Sequence, residues 1–374
     1  MGLTFGTTLR TTVFGQSHSP AIGCTVSGLP AGFALDEEAL ARFMARRAPG
    51  RNRFSTPRAE ADRVRIVSGL NERGITCGSD LCAIIENTNT RTSDYDELRR
   101  VPRPGHADFV AHAKWGDARD VGGGGQFSAR LTAPIAAAGG IALQLLEQRG
   151  VTIAAHVTQV GDVHDEPLQT TDVTPEGLST LYEQMRILKE RSSEPFPTLS
   201  DEASSKMAAR VDEARAELDS VGGAIECVCC GVPLGTGGTR SEGLLATIAQ
   251  IIFSIPAVRG LEFGEGFRVA SMRGSENNDA YGIVDGRVRP LTNHAGGALG
   301  GIATGAPIVA RVAVKPTPSI ARPQRSVDLE RMEERTLEVK GRHDPCVVSR
   351  AVPVVEAAMA LAVLDAWLTF PPTD

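Results

Sequence analysis

From Leu131 to Leu146 the chain carries no charged side chain. Ser128 to Arg149 (SARLTAPIAAAGGIALQLLEQR) therefore reads as a long helix with almost nothing to offer water along its middle, and such a helix belongs inside a protein. Ala136, Ala137, Ala138, Gly139 and Gly140 let neighbours pack closely on it. Pro353 to Phe370 (PVVEAAMALAVLDAWLTF) is a second buried candidate. Two hidden helices need other layers to cover them, and 374 residues are enough for one large domain or two ordinary ones.

The covering layers are legible in outline. Asp36 to Arg47 begins with acids and ends with arginines, as the helix dipole favours, and puts Leu40, Phe43, Met44 and Arg47 on one face. Thr174 to Arg191 and Ser200 to Leu218 read as amphipathic, more exposed helices, separated by the helix-breaking Glu194-Pro-Phe-Pro-Thr198. Ile22–Val26, Ile225–Cys229 and Ile308–Val314 read as strands. Strands and helices mix without regular alternation, which predicts an α+β fold. Cys24-Thr-Val-Ser-Gly-Leu-Pro-Ala-Gly32 resembles Cys227-Val-Cys-Cys-Gly-Val-Pro-Leu-Gly235. This weak internal pseudo-repeat is either two related halves building two sheets around a helical layer or the coincidence of a common turn.

Composition narrows the class. Charged residues at 22% and hydrophobic ones at 41% suit an ordered globular chain. A net charge of -6 points to neither nucleic acid nor an acidic membrane as partner. The seven cysteines are odd in number and scattered through apolar stretches, which suits reduced thiols better than a disulfide framework. The Cys-x-x-Cys spacing at Cys227–Cys230 has no second pair, so no metal is expected. The first ten residues lack the apolar run of a signal peptide, and no stretch is expected to be apolar for long enough to span a bilayer; a cytoplasmic location follows as an expectation.

Three histidines sit in tight polar or Gly/Pro contexts, Gly15-Gln-Ser-His-Ser19, Arg103-Pro-Gly-His-Ala-Asp108 and Gly341-Arg-His-Asp-Pro345, where fixed loops can present proton-transfer groups. Arginines cluster at Arg42, Arg46, Arg47, Arg51, Arg53, Arg58, Arg63 and Arg65; such forks bind carboxylate and phosphate, although about half are accounted for by a solvated basic face. The glycine runs Gly122–Gly125 and Ala295–Gly301 fit neither a P-loop nor a dinucleotide fingerprint, but they can bring backbone N–H groups against an anionic cofactor.

Together with Phe14–Ser19, Arg46–Arg53, Met272–Asp279, Thr292–Gly297 and Lys315–Ser319, these segments resemble the chorismate synthase family along nearly the whole chain. The resemblance implies one domain over residues 1–374, a β-α-β sandwich with a central helical layer between two sheets, and a homotetramer. It implies an anti 1,4-elimination of phosphate from 5-enolpyruvylshikimate 3-phosphate to give chorismate, requiring reduced FMN, with NADPH open as the source of reductant. His18, His106 and Asp344 match the family's catalytic positions. By that match His18 protonates the departing phosphate and His106 serves the reduced flavin. Asp344 takes the C6 hydrogen onward as a proton through flavin N5. Flavin contacts map to Gln126, Phe127, Ser128, Pro256, Ala257, Gly300, Lys315, Pro316, Thr317, Pro318, Ser319 and Arg342. Arg47 and Arg53 match positions for NADP or substrate anions, and Arg103 and Arg130 match arginines around substrate and flavin.

The family's common Gly-Glu-Ser-His-Gly reads Gly15-Gln-Ser-His-Ser19 here, and its Arg-Ser-Ser-Ala-Arg-Glu-Thr reads Gln126-Phe-Ser-Ala-Arg-Leu-Thr132. The second change removes a cation from the flavin loop. Backbone N–H groups of the glycine run are expected to take over, with Phe127 packing into protein.

Overall fold

A computed structural model describes residues 3–50, 53–54, 62–88, 95–339 and 343–373. Two five-stranded antiparallel sheets organise them. The first is built from β1 (Leu3–Phe5), β2 (Arg10–Phe14), β3 (Ala21–Ser27), β4 (Arg65–Ser68) and β5 (Leu81–Glu86), in the order β1-β2-β3-β5-β4. The second contains β6 (Thr152–Val160), β7 (Val163–His164), β8 (Gly223–Cys230) and β9 (Val258–Phe263). Three short two-stranded units also occur: β10 (Tyr281–Val284) with β11 (Arg287–Pro290), β12 (Ala298–Leu299) with β13 (Ile302–Ala303), and β15 (Gln324–Asp328) with β16 (Glu333–Leu337). Between the last two, β14 (Ile308–Val314) returns to the second sheet and completes the order β7-β6-β8-β14-β9. The two strands of the pseudo-repeat, β3 and β8, are each the central strand of a sheet. That placement favours two related halves over a chance turn.

The helices are α1 (Glu37–Arg47), α2 (Asp108–Trp115), α3 (Thr132–Glu147), α4 (Pro175–Glu190), α5 (Asp201–Ala216), α6 (Leu244–Ser254), the single turn α7 (Gly274–Asn277) and α8 (Val348–Thr369). The uncharged helix α3 lies on β3 and β5, α8 lies on β6 and β8, and α3 and α8 pack on each other between the sheets. Small residues make this approach possible: a Cβ at Gly139 would stand 2.2 Å from the Ala357 Cβ. The expected central helical layer is therefore present. The amphipathic helices expected at Thr174–Arg191 and Ser200–Leu218 are α4 and α5: α4 buries Leu181, Met185 and Leu188 against Ala154, Val228 and Val309 of the second sheet, and α5 buries Met207 and Val211 in the main core.

Two expectations need correction. Ala129–Glu147 and Val348–Thr369 are in fact long and apolar enough, by length and composition, to cross a membrane. Their surfaces are spent between the two sheets, with 78% and 83% of the apolar windows buried. The last helix also begins at Val348 rather than Pro353. Pro353 sits inside it, forfeiting only the bond to the Ser349 carbonyl.

Charged groups staple this core. Asp365 of α8 accepts from the N–H groups of Thr7, Thr8 and Leu9 at 2.8–3.0 Å, tying the first sheet to the last helix. Glu356 takes a bidentate pair from Arg46 at 2.6 and 3.0 Å. His156 of β6 is fully buried between Asp165 (3.1 Å) and Glu226 (3.3 Å), and Glu226 also faces Arg311. Burial alone would lower the His156 pKa, but the two carboxylates outweigh it and raise it above the ordinary 6.5. A raised folded value means stability that is fully present below the unfolded pKa and lost as pH rises through the folded one. Thermal stability should therefore decline with rising pH above about 6.5, and His156→Gln should remove that decline. A melting-temperature profile from pH 6 to 9 unchanged by the substitution would refute the coupling.

Candidate active site

A cleft of about 440 Å³ opens where the start of α3, the end of α6, the end of β14 and the start of α8 meet. Its walls include Arg47, Arg103, His106, Gln126, Phe127, Ser128, Pro256, Ala257, Lys315, Thr317, Pro318, Ser319, His343, Asp344 and Arg350. Segments more than two hundred residues apart in the chain thus converge on one hollow.

Asp108, at the first position of α2, organises one wall. Arg103 donates to it through Nε at 2.7 Å and Nη2 at 2.9 Å, and the Arg103 backbone N–H adds a third bond at 3.0 Å. His106 Nδ1 lies 2.6 Å from Asp108 Oδ1. A carboxylate at that distance fixes the proton on Nδ1 and leaves Nε2 as the working nitrogen. Burial pushes the Asp108 carboxyl up, but the bonds from Arg103 and His106 prevail and hold it well below the usual carboxylate range. Arg103 Nη1 also donates to Ser319 Oγ at 3.0 Å, which locks this wall to the segment after β14.

The glycine run lies between the histidines. Gly123 and Gly124 have φ of +63° and +89°, a conformation that side chains resist. A Cβ on Gly123 would stand 2.4 Å from Ser17 Oγ and 2.6 Å from His18 Nε2, and one on Gly124 would stand 3.3 Å from His106 Nε2. Bare backbone is what admits both rings. His18 also packs edge-on against Tyr95, ring centroids 5.3 Å apart. The serine that replaces the family's glycine has a task of its own: Ser19 Oγ accepts from the Gln16 N–H at 3.0 Å and donates within the same loop, closing the turn that carries His18.

Beneath the cleft, Asp62 bridges the Arg47 and Arg130 guanidinium groups, all three buried. Arg47 also donates to Thr132 Oγ1 and the Ala129 carbonyl, each at 3.1 Å, and Arg130 Nε to Asn87 Oδ1 at 2.9 Å. Burial is the main cause that brings the Arg47 pKa down to about 10, with the neighbouring Arg350 and Arg130 adding to it against Asp62. On Asp62 the two arginines overcome burial and lower the pKa. On the opposite wall, burial and the nearby Arg259 lower the pKa of Lys315, whose Nζ donates to the Gly105 carbonyl. Ala257 holds φ of +74°, rare for a residue with a side chain, and its carbonyl accepts from the Lys315 N–H at 2.9 Å.

The structure thus gathers most of the sequence-based site. His106, Asp344, Arg47, Arg103, Gln126, Phe127, Ser128, Pro256, Ala257, Lys315, Thr317, Pro318 and Ser319 line the cleft, and His18 sits against it across Gly123. Arg130 lies behind the wall, through Asp62. Gly300 and Pro316 are not on its walls, and Arg342 lies outside the described residues. Arg53 stands apart, exposed, pairing with Asp212 of α5 at 2.8 Å. Phe127 packs on Trp115 with centroids 6.0 Å apart while also facing the cleft. Sequence reasoning assigned no role to Asp62, Tyr95, Asp108, Arg259, His343 or Arg350. Asp108 and His343 stood inside quoted motifs; the others gave no local signal.

The family model described as chorismate synthase matches residues 9–368. Among similar proteins, the chorismate synthase of Lancefieldella parvula is 50% identical over 371 residues, covering 99% of this chain and 97% of its own. That of Korarchaeum cryptofilum is 44% identical, covering 96% of each chain. A solved structure, "Crystal Structure of Chorismate Synthase", superposes with a TM-score of 0.72 at 26% identity, over 97% of this chain and 93% of that one. Fold and sequence agree: the chain belongs to the chorismate synthase family.

Proposed function

We propose that this cleft binds 5-enolpyruvylshikimate 3-phosphate beside reduced FMN and performs the family's elimination, releasing phosphate and forming chorismate. The chain is then a carbon–oxygen lyase that returns its cofactor unchanged. The observation that carries this reading is the convergence of His18, His106 and Asp344 on one cleft walled by the cations Arg47, Arg103 and Lys315. The substrate has two carboxylates and a phosphate, and burying them requires fixed cations with forked donors.

The residues suit a flat anionic cofactor. The glycine run reaches the cleft wall at Gly123, and its bare backbone lets His18 and His106 stand beside that wall. Gln126, Phe127, Ser128, Pro256, Ala257 and the Lys315–Ser319 segment would hold FMN, with Arg342, Gly300 and Pro316 as further contacts by family match. When bound, reduced FMN supplies and recovers the electron that elimination needs at a carbon with no neighbouring carbonyl to acidify its hydrogen.

The protein's own groups do the rest. His18 gives a proton to the leaving phosphate. His106, with Nδ1–H held by Asp108, presents Nε2 to hold or pass a proton near the cofactor. Asp344 receives the proton lost from C6. Arg103, fixed by Asp108, orients the substrate's anions, and Arg47, held by Asp62 at the floor of the cleft, lends its charge. Arg53 contributes only by family match.

The described residues contribute to one apolar core that runs through both sheets, which supports a single domain. Exposed Tyr281, Ile283 and Val288 on the β10–β11 hairpin are apolar surface of the kind self-association covers, and a homotetramer is the assembly the family match implies. A cytoplasmic location and NADPH as the distant reductant complete the reading. The test is anaerobic mixing of protein, phosphate substrate and reduced FMN. Chorismate and inorganic phosphate should appear in equal amounts with no stoichiometric loss of reductant. One reducing equivalent consumed per chorismate would exclude the elimination.

A further inference from the structure

Arg350 stands in the first turn of α8, facing the same cleft as Asp344. Its Nη1 donates to Asp344 Oδ2 at 2.7 Å, and its Nε donates to the Arg47 backbone carbonyl at 3.1 Å. That carbonyl belongs to the last residue of α1, where helical C=O groups lack intrahelical partners. One planar guanidinium therefore joins three things: the start of α8, the end of α1 and the carboxylate. Both members of the Arg350–Asp344 pair are mostly shielded, at 15% side-chain exposure each. Asp344 itself sits in a loop, outside any helix or strand.

A loop carboxylate that must meet one particular hydrogen needs a fixed direction. The forked geometry of arginine can set it, because the N–H groups lie in one plane and Nε already anchors that plane to α1. A lysine has three donors on one flexible stem but no planar fork, so it can hold the carboxylate without fixing its plane. Arg47 occupies its own guanidinium with Asp62, Thr132 and Ala129, so it does not substitute.

We infer that Arg350 is a positioning residue: it aims the Asp344 carboxylate into the cleft by tethering it to the end of α1, and acts on the reaction through Asp344. The inference rests on the proton-accepting role proposed for Asp344. Misplacement of a reacting group by about 1 Å costs on the order of 10²-fold in rate. Arg350→Ala should therefore lower the single-turnover rate of chorismate formation by about 10²-fold. The affinity for reduced FMN and the KM should change far less.

The test is a cycle of Asp344→Asn, Arg350→Ala and the double variant, read by single-turnover rate, with thermal melts to confirm folding and Arg350→Lys as a milder variant. The expected result is non-additivity: once Asp344 is Asn, removing Arg350 costs almost nothing more. Partial recovery in Arg350→Lys, which keeps a charged contact to the carboxylate without the planar fork, also supports the role. Losses that multiply in full would overturn it, since Arg350 would then act on substrate directly. A crippled Asp344→Asn with a normal Arg350→Ala would overturn it too. Near-normal turnover in Asp344→Asn would instead sink the underlying assignment of Asp344, and the inference with it.

Discussion

Asp62→Ala should destabilise the protein by about 3–5 kcal/mol, the usual cost of leaving a buried charge without its partner. The case is sharper than an ordinary pair, because one carboxylate serves two guanidinium groups. Arg47 and Arg130 are 3% and 5% exposed, so neither can turn to water when Asp62 is lost. The other bonds of Arg47, to Thr132 and Ala129, go to neutral oxygens that do not cancel its charge. Asp62→Asn should recover part of the loss by keeping an acceptor oxygen in place. Urea unfolding at neutral pH is the measurement, and a loss below about 1 kcal/mol would mean that the pair behaves like a surface one. The pH dependence has a definite sign. The folded pKa of Asp62 is depressed, so its contribution is present above the unfolded value near 3.8 and is lost as pH falls through the folded one. The gap between wild type and Asp62→Asn should therefore be full at pH 7 and narrow in acid.

What the sequence disclosed and what it withheld divide along one line. Features carried by neighbouring residues were legible. The charge-free stretch announced α3, and the acidic start and basic end announced α1 within a residue. The strands β3, β8 and β14 stood out as short β-branched runs, and β3 and β8 could be paired as a pseudo-repeat. The histidine loops were visible because Gly, Pro and polar residues crowd around them. Features made by distant partners were not legible. Asp62 reads as one acid among arginines, yet its partners lie 15 and 68 residues away. Arg350 lies ahead of the apolar helix read from Pro353, and its tether to α1 spans 303 residues. The arginine cluster shows the limit most plainly: Arg46 and Arg47 are structural members of buried pairs, whereas Arg53 and Arg65 pair at the surface. Charge type alone does not separate them, because the difference lies in which acid folds against each.

His18→Ala, His106→Ala and Asp344→Asn should each lower kcat by roughly 10²–10⁴-fold, the range expected when one positioned acid or base is removed. Folding should survive, because all three side chains project from loops rather than from the apolar core. The structure adds a finer expectation for His106. Asp108 holds Nδ1 protonated at 2.6 Å, so Asp108→Asn should leave the ring in place but blur its tautomer. Its loss should be smaller than that of His106→Ala, and the two losses should not add. The glycine run supplies an independent handle on the same atoms. Gly123→Ala would set a methyl 2.6 Å from His18 Nε2 at a φ of +63°, so the ring must move. It should therefore approach His18→Ala in turnover even though the histidine is still present. Gly124→Ala meets His106 Nε2 at 3.3 Å, a contact that a small shift relieves, and should be milder unless its φ of +89° disrupts the loop itself. Steady-state kinetics with reduced FMN and circular dichroism on all six variants provide the measurement. If two of the three catalytic variants keep near-normal turnover, the proton-transfer assignment fails. If Gly123→Ala is harmless while His18→Ala is crippled, His18 acts from a position other than the one it occupies against the glycine run.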